Sequence, residues 1–318
     1  VYREAMLFGR PWIERYIAKK GIPIIFDFDD AIWMPVKSQT GISPILKRFI
    51  KSTKKFDEIM KLSTHVVAGN NYLAQHAQLL NKHVSVIPTV VDTDYYKPVE
   101  GTKEQEKKLV IGWIGSGSTS VYLKLLDNIW KQLKSSSLSK RNDADVLSPS
   151  FVKEGQGEFE YPVLPSAVHP FMKGELDDAL ILKVIGGVYT PDGIQTTNVR
   201  WSLDTELAGM AEFDIGIMPL PDDEWAKGKC GLKALQYMAM GIPCVASPVG
   251  VNTEIIQDGV NGFLAKDEKE WVEKLSLLIE NPELRQRLGR AGRKTVEERY
   301  SVKVWAQRYV EIVRKVVG

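Results

Sequence analysis

The sequence predicts an α/β fold with two parallel-sheet domains, and three observations predict it. Short apolar runs alternate with helix-period segments from residue 22 to residue 246, the pattern of strand–helix–strand units with parallel strands. One such unit is complete between Asp214 and Gly262. In it, residues 215–218 read as a buried strand, and 232–240 as a helix with Ala234, Leu235 and Met238 at core spacing. Gly241 stops that helix and 244–246 form the next strand. Finally, 318 residues suffice for two sizeable cores, and Pro88 and Pro98 bracket a linker-like stretch, VVDTDYYKP.

Composition narrows the class. Hydrophobic residues make up 44% and charged residues 26%, with a net charge of +2, so the chain has the profile of a globular protein without a nucleic-acid signature. Cys230 and Cys244 have no metal or redox spacing and suit a reducing compartment. No apolar run approaches the roughly 18 residues of a spanning helix, and no signal peptide is visible, so a cytoplasmic location is the expectation.

In chain order, Val1-Tyr2 reads as the end of a strand. Residues 14–20 form a helix stopped by Gly21, and 22–28 a strand ending in Asp27-Phe28-Asp29-Asp30. Residues 43–62 read as a long amphipathic helix whose apolar set includes Ile45, Phe49, Phe56, Ile59 and Met60. It also carries Lys47, Arg48, Lys51, Lys54, Lys55 and Lys61. Bases beside an apolar stripe imply either peripheral contact with an anionic membrane or, the favoured reading, an ordinary helix with its apolar side on the sheet. A strand at 65–68, a helix at 71–80 and a strand at 84–87 complete this half.

The second half opens with a strand at 109–114, the loop Gly115-Ser116-Gly117-Ser118-Thr119 and a helix at 121–133. Such a loop can cradle phosphate with backbone N–H groups, and a plain tight turn explains it equally well. Residues 135–178 hold four prolines, many serines and no period, and read as a largely irregular insertion, with a lid or partner-binding loop as the alternative. A strand at 180–185, a short strand at 199–201 and a helix at 203–213 follow. Three helices close the chain, the second opened by Asn281-Pro282 and the last capped by Ser301 with a stripe from Val302 to Val316.

The chemistry gathers at the mouth of the helix at 232–240. Lys229 and Gly231 precede it, Leu232 opens it, Lys233 lies in its first turn and Gln236 one turn further on the same face. Free N–H groups, a partially positive helix end and two lysines suit an anion such as phosphate. Asp27, Asp29 and Asp30 alternate across a strand end, so they do not converge on a metal.

The stretch GLKALQYMAMGIPCVASPVGVNTEIIQDGVNGFLA resembles the donor-binding half of family 4 glycosyltransferases, which have the GT-B fold. The resemblance implies two Rossmann-like domains facing across a cleft, the first incomplete here. It places the acceptor-side domain at 1–97, the donor domain at 98–300 with its insertion at 135–178, and a helix at 301–318 crossing back. It further implies sugar transfer from a nucleotide-sugar donor, with retention and without metal or other cofactor, to a glycan or lipid-linked acceptor. Two family glutamates are replaced by Gly228 and Gln236, while Lys233 matches a lysine of one branch. Ser116 and Thr119 stand where many members have Arg and Lys, and Asp29 where many have His. Trp201 and Ser202 fall near the expected nucleotide base. The implied catalytic set is Asp29, Lys229 and Lys233; the donor set is Gly115 to Thr119, Gly231, Leu232 and Gln236. A non-catalytic binding module with the same fold and a nucleotide-sugar epimerase are the competing readings.

Overall fold

The computed structural model describes residues 10–34, 54–98, 108–139 and 180–318, with the backbone alone for 135–139. The first domain is a parallel sheet of β1 (Ile25–Phe28), β2 (His65–Ala68) and β3 (Val84–Val86), in that order. Helix α1 (Trp12–Lys19) leads into β1, α2 (Lys54–Leu62) lies between β1 and β2, and α3 (Asn71–Gln78) between β2 and β3. Phe26, Phe28, Ile59, Met60 and Leu73 form the core between sheet and helices. The first half of the expected helix at 43–62, with Lys47, Arg48 and Lys51, lies outside the described residues, as do Val1 and Tyr2. Its described half turns Phe56, Ile59 and Met60 into the core and leaves Lys54 and Lys61 exposed, so that stretch of the stripe serves the sheet.

The second domain is a parallel sheet of six strands: β4 (Leu109–Ile114), β5 (Leu180–Ile185), β6 (Gln195–Val199), β7 (Ile215–Met218), β8 (Cys244–Ala246) and β9 (Phe263–Leu264). Their order, β6-β5-β4-β7-β8-β9, reverses between β4 and β7. That switch point leaves a crevice beyond the carboxyl ends of β4 and β7, where open α/β sheets take ligands.

Several boundaries differ from expectation. The helix after β4 begins as a 3-10 turn, Ser120–Leu126, and continues as α4 (Asp127–Ser139), into the stretch expected to be irregular from 135. The rest of that stretch, 140–178, lies outside the described residues. β6 covers 195–199 rather than 199–201, which puts Trp201 just beyond its carboxyl end. Its sequence, QTTNV, is polar because it is the edge of the sheet and mostly meets water, so no apolar alternation marks it.

α5 (Leu203–Ala211) precedes β7, and a short α6 (Glu224–Lys227) capped by Asp223 breaks the loop after it. α7 (Leu232–Ala239) connects β7 to β8, and α8 (Asn252–Ile255) follows β8. The close comprises α9 (Glu268–Glu280), α10 (Pro282–Arg299) and α11 (Val302–Val317). Asn281 caps α10 by accepting from Leu284 N at 2.8 Å. Gly289 lets α10 press on the turn that ends α7, since a Cβ there would lie 2.0 Å from Gly241 O.

Of the apolar stripe expected on α11, Ile312 alone is buried, and the helix reaches the first domain through Tyr309 Oη, which donates to Asp27 Oδ2 at 3.3 Å. The linker is held by Arg293, whose guanidinium donates to the carbonyl oxygens of Thr93, Tyr96 and Ala239. No helix among the described residues is long and apolar enough to cross a membrane.

Candidate functional site

The crevice at the switch point has two walls. One is the loop after β4. Gly115 N donates to Ile185 O and Thr119 N to Ser116 O, so two of the loop's amides are used within the fold. The amides of Ser116, Gly117 and Ser118 have no backbone partner among the described residues, and the expected cradle narrows to these three. Gly115 has to be glycine: a Cβ would lie 2.7 Å from Lys233 Cε and 2.6 Å from the Trp113 ring.

The other wall is the mouth of α7. Gly231 caps it with φ +73°, a left-handed conformation that favours glycine, and a Cβ there would lie 2.3 Å from Ile255 Cδ1. Leu232 opens the helix half exposed, and the first turn's N–H groups point into the crevice with the dipole's positive end.

Lys233 extends beneath Gly115 and stacks its ammonium over the Trp113 ring, 5.4 Å from the centroid. It makes no ion pair or hydrogen bond among the described residues. Burial lowers its pKa to about 8; Lys229 adds to the effect and Asp30 opposes it. The result is a cation held ready without a carboxylate, beside free amides. Below Gly231, the fully buried Asn252 donates from Nδ2 to Ser247 O at 3.0 Å and leaves Oδ1 without a partner.

Lys229 is differently placed. Its Nζ donates to Asp30 Oδ1 at 2.8 Å, each side chain 19% exposed, and lies 5.1 Å from the Trp225 centroid. The pair crosses between the domains, so Lys229 faces the first domain rather than an empty crevice. Asp30, not Asp29, is the acid that meets it. Asp29 lies one residue back, where its Cα would be 3.3 Å from a Cβ on Gly69. Asp29 and Asp30 reinforce burial in raising the neighbouring Cys230 thiol to about 12.

Two further contacts join the domains here. Asn70 caps α3 through Oδ1, 2.8 Å from Leu73 N, and turns Nδ2 toward the carbonyl oxygens of Gly228 and Lys229, at 3.4 and 3.2 Å. Tyr72 Oη donates to Glu224 Oε2 at 2.7 Å, and burial followed by that contact pushes the phenol up to about 12. Gly228 is shut in by the same closure: a Cβ there would meet Ala31 Cβ at 2.7 Å, so a glutamate side chain has no room.

Gln236 is a buried residue of α7, and Nε2 donates to Tyr96 Oη at 2.8 Å and to Glu206 Oε1 at 3.0 Å. Sequence reasoning missed Glu206, Asn70, Tyr96 and Trp113. Glu206 had one readable signal: it stands four residues before Met210, on the face of α5 that packs inward. Among the described residues no group of three or more acids, histidines or cysteines has the geometry to hold a metal ion.

Residues 221–295, the loop, α7, β8 and the helices behind them, match the family profile described as glycosyl transferases group 1. A D-inositol 3-phosphate glycosyltransferase from Nocardioides is 23% identical over 277 residues, 81% of this chain and 55% of that protein. Spore coat protein SA of Bacillus subtilis is 31% identical over 83 residues, 25% of this chain and 22% of that protein. The aligned part of the chain thus spans from about a fifth to about half the length of these relatives. Among solved structures, Anabaena HepE in complex with UDP-glucose superposes with TM-score 0.63 at 13% identity, over 95% of this chain and 75% of that one. TarM of S. aureus, in complex with UDP, gives 0.59 at 15% identity, over 92% and 51%. This chain has the GT-B fold. Its two parallel sheets are the two Rossmann-like domains of that fold, and the segment that matches the family profile forms the second wall of the cleft between them.

Proposed function

We propose that this GT-B protein transfers a sugar from a nucleoside-diphosphate sugar to an acceptor hydroxyl, with retention and without a metal. The observation that carries the reading is Lys233. An ammonium without a carboxylate partner among the described residues, lowered to about 8 by burial, is costly unless an anion completes it. The amides of Ser116, Gly117 and Ser118 and the first turn of α7 stand beside it as further donors.

A diphosphate in this crevice meets one positive charge and two sets of N–H groups. As the bond from the anomeric carbon to the phosphate oxygen breaks, its electron pair moves onto the diphosphate. Lys233 and the helix mouth stabilise that developing charge. The acceptor hydroxyl forms the new bond on the same face of the sugar, and its proton goes to the departing phosphate oxygen. Asp29 and Asp30, at the end of β1, lie on the acceptor's side of the cleft and are suited to orient that hydroxyl. Lys229, paired with Asp30, ties the two walls together.

HepE in complex with UDP-glucose and TarM in complex with UDP support a nucleotide-sugar donor. The acceptor is a glycan or lipid-linked sugar on this reading. A second reading, a non-catalytic binding module, is favoured by one observation: Ala31 closes off Gly228, where the resemblance expects an acid.

The deciding experiment offers the purified chain UDP- and GDP-sugars, with and without chelator, and follows release of nucleoside diphosphate. Turnover that survives chelation, with product of unchanged anomeric configuration by NMR, supports the transferase. Tight donor binding with no turnover on any donor supports the binding module.

A further inference from the structure

Among the buried acids that the chemistry above leaves unused is Glu206. Glu206 on α5 is 4% exposed and pairs with no cation among the described residues. Three neutral donors surround it instead. Tyr96 Oη donates to Oε1 at 2.6 Å, Gln236 Nε2 to the same oxygen at 3.0 Å, and Trp201 Nε1 to Oε2 at 2.6 Å. These donors come from the linker, from α7 and from the loop after β6. An ionised carboxylate out of water is tolerated where its lone pairs are bound this completely.

A carboxylate only accepts, and that fixes the orientation of what surrounds it. The Gln236 amide has to present Nε2 to Glu206, which leaves its carbonyl Oε1 with no partner among the described residues. The Trp201 indole has to turn Nε1 inward, and the residue remains 47% exposed. Both groups lie beside the anion site. Gln236 is one turn past Lys233, and a Cβ on Gly186 would touch Gly115 O at 2.1 Å and Trp201 Cβ at 3.1 Å. Trp201, half exposed, therefore borders the loop after β4.

We propose that Glu206 is a positioning residue for the nucleoside half of the donor. It holds the Trp201 ring as a stacking platform for the base and turns the Gln236 carbonyl oxygen so that it accepts from the ribose hydroxyls. The inference rests on the reading of the cleft as a donor site. It adds a division of labour: Lys233 reads the diphosphate, and Glu206, through its two neighbours, reads the nucleoside.

The test is titration calorimetry of the full chain with uridine diphosphate, 2′-deoxyuridine diphosphate and inorganic pyrophosphate. Glu206→Gln keeps the volume but sets an NH2 group against one of the three donors. It is expected to weaken uridine diphosphate about tenfold and leave pyrophosphate within about twofold. It also removes the wild-type preference for the ribose over the deoxyribose form. Gln236→Met, which leaves Glu206 in place, repeats the loss of that preference and carries the test if Glu206→Gln does not fold. Trp201→Ala weakens both nucleotides equally and spares pyrophosphate.

Equal losses for pyrophosphate and uridine diphosphate in Glu206→Gln would reduce Glu206 to a packing role and overturn the proposal. So would a wild type that binds the three ligands alike, which would leave the anion site standing. A wild type that binds none of the three removes the donor reading itself, and this inference with it.

Discussion

Replacing Lys233 by Met should stabilise the protein while abolishing its anion site. The wild-type ammonium is held at a pKa of about 8 against an ordinary 10.5, chiefly by burial. At 1.36 kcal/mol per unit that gap corresponds to ~3 kcal/mol, and because the side chain keeps some contact with water, about 1–2 kcal/mol of it should be recoverable. Methionine fills similar volume over the Trp113 ring and has no charge to desolvate. The sign with pH follows from the direction of the shift. Between about 8 and 10.5 the unfolded chain holds the proton and the folded chain does not, so wild-type stability contains a component that rises with pH through that window.

Guanidinium denaturation at pH 7 and pH 9.5 measures both effects. The variant should have the higher midpoint at pH 7, and the gap should narrow at pH 9.5. Added pyrophosphate should raise the midpoint of the wild type and leave Lys233→Met unchanged. A variant no more stable than wild type at pH 7, with the same pH slope, would refute the argument that Lys233 is an uncompensated buried charge.

The same charge predicts that pyrophosphate affinity, once the ligand's own ionisation is accounted for, falls as pH rises through about 8, measured by calorimetry, because the neutral amine loses the anion. Gly231→Ala should cost at least ~1 kcal/mol and weaken uridine diphosphate, since φ +73° and the Ile255 contact leave no place for a methyl; denaturation and calorimetry on one preparation check it. A double-mutant cycle of Asp30→Asn and Lys229→Met should give a coupling of about 1 kcal/mol, with small-angle scattering showing a wider cleft in either single variant. Asn70→Ala should cost about 1–2 kcal/mol through loss of its cap to Leu73 and its reach to Gly228 and Lys229, and Asn70→Ser, which keeps the cap alone, about half of that.

Much of the fold was legible along the chain. β2, β4, β5, β7 and β8 lie at or within a residue of where apolar runs place them, because buried parallel strands have to be apolar along their length. α7 begins where a glycine and a lysine-bearing first turn predicted it, and Asn281 caps α10 as its spacing with Pro282 implies. β6 escaped because an edge strand of polar residues has no apolar period, and α6 and α8 because four residues are too few to show one.

The candidate site divides in the same way. The sequence by itself determined the mouth of α7, the Gly/Ser loop and the lysines, since capping, glycine conformation and charge are properties of a few neighbouring residues. Only the tertiary structure decided which lysine stands free. Lys229 finds Asp30 across 199 residues of chain, and Lys233 finds an aromatic ring and no ion-pair partner among the described residues. Gln236, readable as a surface amide, is buried because Tyr96, 140 residues away, and Glu206, 30 residues away, close around it. A hydrogen bond or an ion pair is decided by distance in space and by the water excluded around it, and neither quantity exists until the two sheets and the linker have come together.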